Sequence, residues 1–366
     1  LDRLTVLIGA NASGKTNFVD ALGLIADSLT DELETAVLRR GGREALVWSG
    51  AEEPSFTISI DYRPVPKRAA TTYEVNIAFD EDERPVVRRE ELLMKSSQEG
   101  PGRRRRALEV RDGRGVVFDE TIGDRRQITG DAHILQVASL GVFEDQPQVK
   151  AMRDFIEGWK FLRVDVDAIR QPQTFQRTEG LATSAGNLAV VLNTMLIHRP
   201  DALASVNDAL SAVIPGAPHV RPEVVGGKVV LSFSMPSFGS RTFPATSVSD
   251  GTLRLLAYLT ALEIEPQPTL LCIEEPEHGL HPEAVVALVE TLASSAEERK
   301  IQALLTTHSG DVLDALPSPA ALRVVEKQED GSTRIGQIEQ IDDVDRWLEE
   351  FRLSELWRHH AIGATP

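Results

Sequence analysis

An α/β fold built around a phosphate-binding strand–loop–helix unit follows from three stretches of this sequence. LTVLIG (residues 4–9) is a short, apolar, β-branched run that flows into GANASGKT (9–16), and NFVDALGLIADSL (17–29) continues with apolar residues at helical spacing. TLLCIEEPEHGLHP (269–282) drives an apolar run into two adjacent glutamates, where a proline stops it. QALLTTHS (302–309) is another apolar strand that ends in polar residues.

The first stretch matches G-x-x-x-x-G-K-[ST], the phosphate-binding P-loop. Gly9 and Gly14 let the backbone fold tightly around an anion, so that loop N–H groups and the following helix N-terminus face it. Lys15 is expected to reach the β- and γ-phosphates of a nucleotide and Thr16 to place its hydroxyl on Mg²⁺. Asn11, Ala12, Ser13 and Asn17 complete the expected nucleotide-binding residues.

The paired glutamates fit the same chemistry. In a P-loop fold a second strand is expected to end beside the first, and its terminal acid, here Glu274, holds the magnesium shell. Glu275 is then placed to orient or deprotonate the attacking water. Successive strand residues point to opposite faces, so both acids reach one site only if the chain turns at the strand end.

Two further pieces flank this run. SVSDGTLRLLAYLTALEI (247–264) sets Ser249-Asp250-Gly251 at the start of an apolar helical pattern, with Ser249 and Asp250 as natural N-caps. His308 stands near the tip of the 302–309 strand.

Composition narrows the partners. The 366 residues suffice for one large domain or two ordinary ones. A net charge of −17 means that nucleic-acid binding would need a local basic patch, for which Arg103–Arg106 is the candidate and a solvated loop the alternative. Cys272, the single cysteine, excludes an intramolecular disulfide framework. No stretch approaches the roughly 20 apolar residues of a membrane span and no signal peptide is visible, so a cytoplasmic location without membrane insertion is expected.

In this order, the four pieces resemble the ABC-type ATPases. The resemblance implies that GANASGKT is a Walker A motif and that SVSDGT is a signature whose Ser249 and Gly251 contact the γ-phosphate held by another subunit. It makes LLCIEEPE a Walker B motif with Glu275 as catalytic glutamate. HGLH (278–281) then takes the D-loop position, and His308 that of the switch histidine. The spellings RRGG (39–42), SDGTLRLLA, IEEPEHGLHP and the terminal LSELWRHHAIGATP are similar to the stand-alone RecF/OLD-like AAA-family ATPases of bacteria, relatives of the SMC proteins. The likeness is strong over residues 1–50 and 244–362. Walker B departs from most ABC proteins by carrying Glu274 in place of Asp. Only about sixty residues follow His308, too few for a Toprim nuclease domain, given that typical domains run to ~100 residues.

The resemblance implies a P-loop NTPase of ABC/SMC-head type. Residues 1–50 with 244–366 would form the nucleotide-binding core, 51–130 an antiparallel β-layer, and 131–243 a helical lid lobe with a hairpin at 220–236. Residues 55–62, 71–79, 85–93 and 107–119 read as strands, 131–160 and 186–213 as helical, and 166–185 as a mobile loop. Gln136, Gln171 and Gln173 are alternatives for the Q-loop glutamine. Arg39-Arg40-Gly41-Gly42 is either a helix C-cap or an arginine that reaches phosphate or DNA. His278 with His281, and His359 with His360, lack an obvious third ligand for a metal site.

The function so implied is Mg²⁺-dependent ATP hydrolysis by a head-to-tail dimer of two copies sandwiching ATP. It would act as a DNA-linked clamp or sensor in repair or phage defence, with a separate nuclease as effector. The alternatives are an ATP-dependent switch on a protein toxin and the nucleotide-binding subunit of a transporter.

Overall fold

A computed structural model describes residues 1–63, 70–95, 104–119, 121–178, 180–235, 241–338, 341 and 344–362. The chain divides into two compact units, one of residues 1–17 with 158–366 and one of residues 18–157. The expected 131–243 segment is therefore divided between them at Glu157 and Gly158.

The chain opens with β1 (Leu4–Ile8) and α1 (Lys15–Thr30), inside which the boundary between units falls. The 18–157 unit continues with α2 (Leu33–Leu38) and α3 (Gly42–Leu46). Its sheet is an antiparallel meander of β2 (Ser55–Tyr62), β3 (Thr71–Phe79), β4 (Pro85–Lys95), β5 (Arg104–Arg111), β6 (Arg114–Asp119) and β7 (Asp124–Thr129). Burial alternates along β3, with Tyr73, Val75 and Ile77 inside, as expected of a sheet with one covered face. The strand expected at 107–119 is two strands. Asp112 and Gly113 both take positive φ (47° and 74°), the backbone of a two-residue hairpin turn. Two short helices close the unit, α4 (Gln136–Leu140) and α5 (Pro147–Glu157).

The unit of residues 1–17 and 158–366 begins its second part with β8 (Trp159–Leu162). The helical expectation for 131–160 holds over α4 and α5 and is corrected only at its end, where WKFL is a strand: a four-residue run carries no periodicity that separates a buried strand from a helix. The segment expected as a mobile loop is also corrected. It holds α6 (Val166–Arg170) and β9 (Gln173–Thr174), backbone hydrogen bonds from Arg163 to Thr183 and from Asp165 to Ser184, and the buried side chains of Leu181 and Ala185. Then follow α7 (Leu188–His198), α8 (Pro200–Val213), the hairpin β10 (His219–Val225) and β11 (Lys228–Ser234), and β12 (Thr242–Pro244). The last third contains α9 (Asp250–Glu263), β13 (Leu270–Glu274), α10 (Pro282–Arg299), β14 (Gln302–Thr307) and α11 (Gly310–Asp314). It ends with β15 (Leu322–Lys327), β16 (Thr333–Gln337), α12 (Val344–Glu350) and α13 (Leu353–Arg358).

The main sheet of this unit has the order β16-β15-β1-β14-β13-β8, parallel except for β16. Its central strands are buried along almost their whole length because both faces are covered, and α9 packs eight apolar residues into the same core. The expectation that β13 ends directly beside β1 is corrected as well: β14 lies between them and pairs with both.

Candidate nucleotide site

Parallel pairing sets the site. Ile8 is level with Thr307, and Glu274 with Thr306, so β1, β14 and β13 finish together. The loops that leave them open at one carboxyl edge, where ligands of open α/β sheets bind.

The 9–14 loop is folded as an anion cradle. Ala12 and Gly14 take positive φ (61° and 108°), and a Cβ on Gly14 would stand 2.1 Å from Thr333 Oγ1, which itself donates to the Ser13 carbonyl at 3.0 Å. Lys15 is 6% exposed, and its ammonium donates to the carbonyls of Gly9 (2.6 Å) and Ala10 (3.0 Å). Burial pushes that ammonium below its usual pKa, while the charges of Glu275 and Glu277 oppose the shift. Ser13 Oγ is buried without a hydrogen-bond partner. Thr16 and Asn17 are exposed in the first turn of α1, and Asn11 and Ala12 are exposed in the loop.

The two glutamates part company at the strand end. Glu274 still belongs to β13, and its Oε1 accepts from Arg163 Nε at 2.5 Å. Glu275 takes a left-handed backbone, φ 47°, at a residue without glycine's freedom, a strain of about 1–3 kcal/mol that persists at functional sites. That turn carries its carboxylate to His308 (Nε2 to Oε1, 3.3 Å) and His278 (Nε2 to Oε2, 3.0 Å). Burial, and then the positive charge of Lys15, lower the His308 pKa against the pull of Glu275 and Glu277. Glu277 escaped the sequence reading. Its Oε1 accepts from the Thr307 hydroxyl (2.6 Å) and the His308 amide (3.1 Å), and a third acid following two others was the only signal.

Ser249 caps α9 by accepting from the Thr252 amide, and its hydroxyl lies 2.8 Å from that of Thr252. Asp250 pairs with Arg170 at 2.7 Å, and Arg170 also donates to the Val248 carbonyl. Gly251 is packed so closely that a Cβ would meet the Gly279 carbonyl oxygen at 2.3 Å. Among the described residues, no hydrogen bond or ion pair joins Ser249, Asp250 or Gly251 to residues 9–17 of the same chain.

The remaining candidates sort by their contacts. Gln136 is buried, and its amide donates to the carbonyls of Asp131 and Ile134. Gln171 and Gln173 bond locally to the Asp167 and Gln171 carbonyls. Arg40 is built into its own unit through Asp27, Ala36 and Asp20, and Arg39 pairs with Asp31. Arg103 lies outside the described residues; Arg105 sits 3.3 Å over the Phe118 ring and Arg106 pairs with Glu109. His281 caps α10, and His359 and His360 are exposed. No group of three His, Cys, Asp or Glu among the described residues could hold a metal alone.

These residues suit a magnesium nucleotide. A dry lysine satisfied only by carbonyls and an unpartnered Ser13 hydroxyl match a phosphate ligand. A threonine hydroxyl and a carboxylate are hard oxygen donors of the kind Mg²⁺ takes, usually together with substrate phosphates.

The fold is thus a mixed α/β P-loop NTPase fold like that of SMC heads. Residues 4–121 and 150–315, more than half the chain, match the family described as "AAA domain, putative AbiEii toxin, Type IV TA system", and the chain belongs to that family of AAA/ABC-type ATPases. It is similar in fold to an SMC head bound to the C-winged helix domain of ScpA, with 13% identity, 91% of this chain and 89% of that chain covered, and a TM-score of 0.56. A second similar structure is the Pyrococcus furiosus SMC head with an extended coiled coil bound to the C-terminal domain of ScpA, with 13% identity, 95% and 93% covered, and a TM-score of 0.50. No curated protein matches the chain. Among the described residues no helix is long and apolar enough to cross a membrane.

Proposed function

We propose that the chain binds MgATP at the carboxyl edge of its main sheet and hydrolyses it, with Glu275 as general base. The observation that carries this reading is the left-handed turn at Glu275, which sets its carboxylate against His308 within the field of Lys15. Gly9–Asn17 would wrap the phosphates, with Lys15 leaving the loop carbonyls to meet them. Thr16 and Glu274 would hold Mg²⁺, which when bound neutralises phosphate charge. Glu274 would do so in exchange for its pairing with Arg163. Glu275 would take the proton of the attacking water, and His308 would keep that carboxylate oriented.

The exposed Ser249 and Asp250, with the buried Gly251 behind them, would serve a second copy, so that two chains would sandwich two nucleotides about a two-fold axis. ATP would then favour the closed dimer and hydrolysis would release it. We assign the chain to the RecF/OLD-like ATPases, acting in the cytoplasm as a DNA-linked clamp or sensor in repair or phage defence with a separate effector. The first test is MgATP hydrolysis with and without double-stranded DNA at low and moderate salt. Stimulation that fades with salt supports the clamp; absence of hydrolysis under every condition overturns the ATPase.

A second reading is favoured by the toxin system in the family's description and by the net charge of −17, which suits a basic protein partner. In it the same ATP-driven dimer sequesters or releases a protein toxin, and turnover is indifferent to DNA.

A further inference from the structure

Glu277 stands two residues beyond the proposed base and belongs to neither the phosphate loop nor the proposed metal pair. One of its oxygens does two tasks: Oε1 accepts from the Thr307 hydroxyl at 2.6 Å and from the His308 amide at 3.1 Å. Thr307 is fully buried at the last position of β14, and its hydroxyl, with the proton given to Glu277, accepts from the Ser309 amide at 2.9 Å. Ser309 in turn caps α11. A single carboxylate oxygen therefore anchors the three-residue tip that presents His308.

The other oxygen, Oε2, is buried with no partner. Leaving a charged acceptor unsatisfied is costly, and such groups in folded proteins call for an explanation. The charge also reaches the site, for Lys15, His308 and the buried Tyr258 of α9 all lie within its field.

We infer that Glu277 is the positioning residue of the site, a carboxylate clamp that holds the tip of β14 so that the His308 imidazole meets Glu275. The inference rests on the ATPase reading above for its consequence in turnover, but the clamp itself does not. Misplacing a reacting group by about 1 Å costs on the order of a hundredfold in rate. Loss of the clamp moves the imidazole, not the phosphate loop, so it acts on kcat and spares KM.

The test compares Glu277→Ala, Glu277→Gln and Thr307→Val with the wild-type chain. Expected for Glu277→Ala is a fall in kcat of about ten- to a hundredfold with KM for ATP within about twofold. Glu277→Gln, which keeps an oxygen acceptor, recovers most of the loss, and Thr307→Val falls in the same direction without adding to Glu277→Ala. Wild-type kcat in Glu277→Ala, or a rise in KM alone, overturns the inference. Hydrogen exchange at the His308 amide reads the clamp without turnover, and is expected to be about tenfold or more faster in Glu277→Ala. Unchanged exchange overturns the clamp even if the enzyme is active. A wild-type chain that hydrolyses no ATP defeats the ATPase reading and leaves the exchange result to decide the clamp. If Glu277→Ala does not fold, Thr307→Val carries the same two measurements.

Discussion

The imidazole of His308 lies 3.3 Å from the carboxylate of Glu275, although they stand 33 positions apart in sequence, on loops that leave neighbouring strands. Two backbone features produce the contact: the parallel register that ends β13 and β14 together, and the left-handed turn at Glu275.

A first prediction concerns the base. Glu275→Gln preserves shape and an oxygen acceptor but cannot take a proton. Turnover is expected to fall on the order of a hundredfold or more while ATP binding persists. Rapid-quench hydrolysis and size-exclusion chromatography with MgATP read the two effects. A variant that stays monomeric with ATP would sink the dimer model.

The buried ammonium supports a second prediction. Lys15 is nearly dry, and burial disfavours its charged form. Removing it relieves that cost and offsets the lost bonds to Gly9 and Ala10, so Lys15→Met should change nucleotide-free stability by about 1 kcal/mol or less. ATP binding, which needs the charge, should weaken by about a hundredfold or more. Thermal unfolding without nucleotide and equilibrium binding of ATP separate these outcomes; intact binding would refute the phosphate-loop assignment.

Much of this edge is legible in the sequence because its parts are local. GANASGKT carries its own turn residues, and LLCIEEPE and QALLTTHS announce buried strands by unbroken apolar runs. The hidden parts are those set by tertiary register. Nothing in the sequence says that β14 separates β1 from β13, nor that Arg163, at the end of the four-residue β8, comes to lie on Glu274. β7 was missed for a different reason: five of its six residues are exposed, so DRRQIT has no apolar alternation to read. Glu277 was passed over because a buried acceptor and a solvated acid look alike in one dimension.

Gly251 yields a third prediction, about space. A methyl group there would sit 2.3 Å from the Gly279 carbonyl oxygen, a backbone atom that cannot swing aside. Gly251→Ala should destabilise the fold by about 1–3 kcal/mol and displace either the α9 start or the 275–281 turn. Chemical denaturation reads the first effect. Gly180→Ala, where a Cβ meets nothing within 4 Å, is the control and should be neutral.

A fourth prediction lies in the 18–157 unit. Glu90 is wholly buried and accepts from the amides of Gln136 and Val137 and from the Tyr73 hydroxyl. Burial nevertheless pushes its carboxyl from 4.5 up to about 7, outweighing those three bonds. Within that window the folded chain holds a proton that the unfolded chain has released, so stability falls as pH rises, by up to about 1.4 kcal/mol per pH unit. Denaturation at a series of pH values should show this decline, and Glu90→Gln, which cannot ionise, should flatten it. An equal slope in both proteins would show that Glu90 is ionised throughout.

The last prediction tests whether the signature serves a second copy. Among the described residues of one chain no hydrogen bond or ion pair ties Ser249 to the phosphate loop, so an active site completed by Ser249 must borrow it. Ser249→Arg and Lys15→Met chains should each be inactive alone, because every site in either homodimer carries the defect. In an equal mixture about half the dimers pair one chain of each kind. One of their two sites then combines an intact Lys15 with an intact Ser249, and the other carries both defects. Recovery of about a quarter of the wild-type rate is therefore expected. The measurement is ATP hydrolysis after the two variants are mixed and allowed to exchange. If the mixture stays as inactive as its components although mixed dimers form, Ser249 does not complete a site across the dimer.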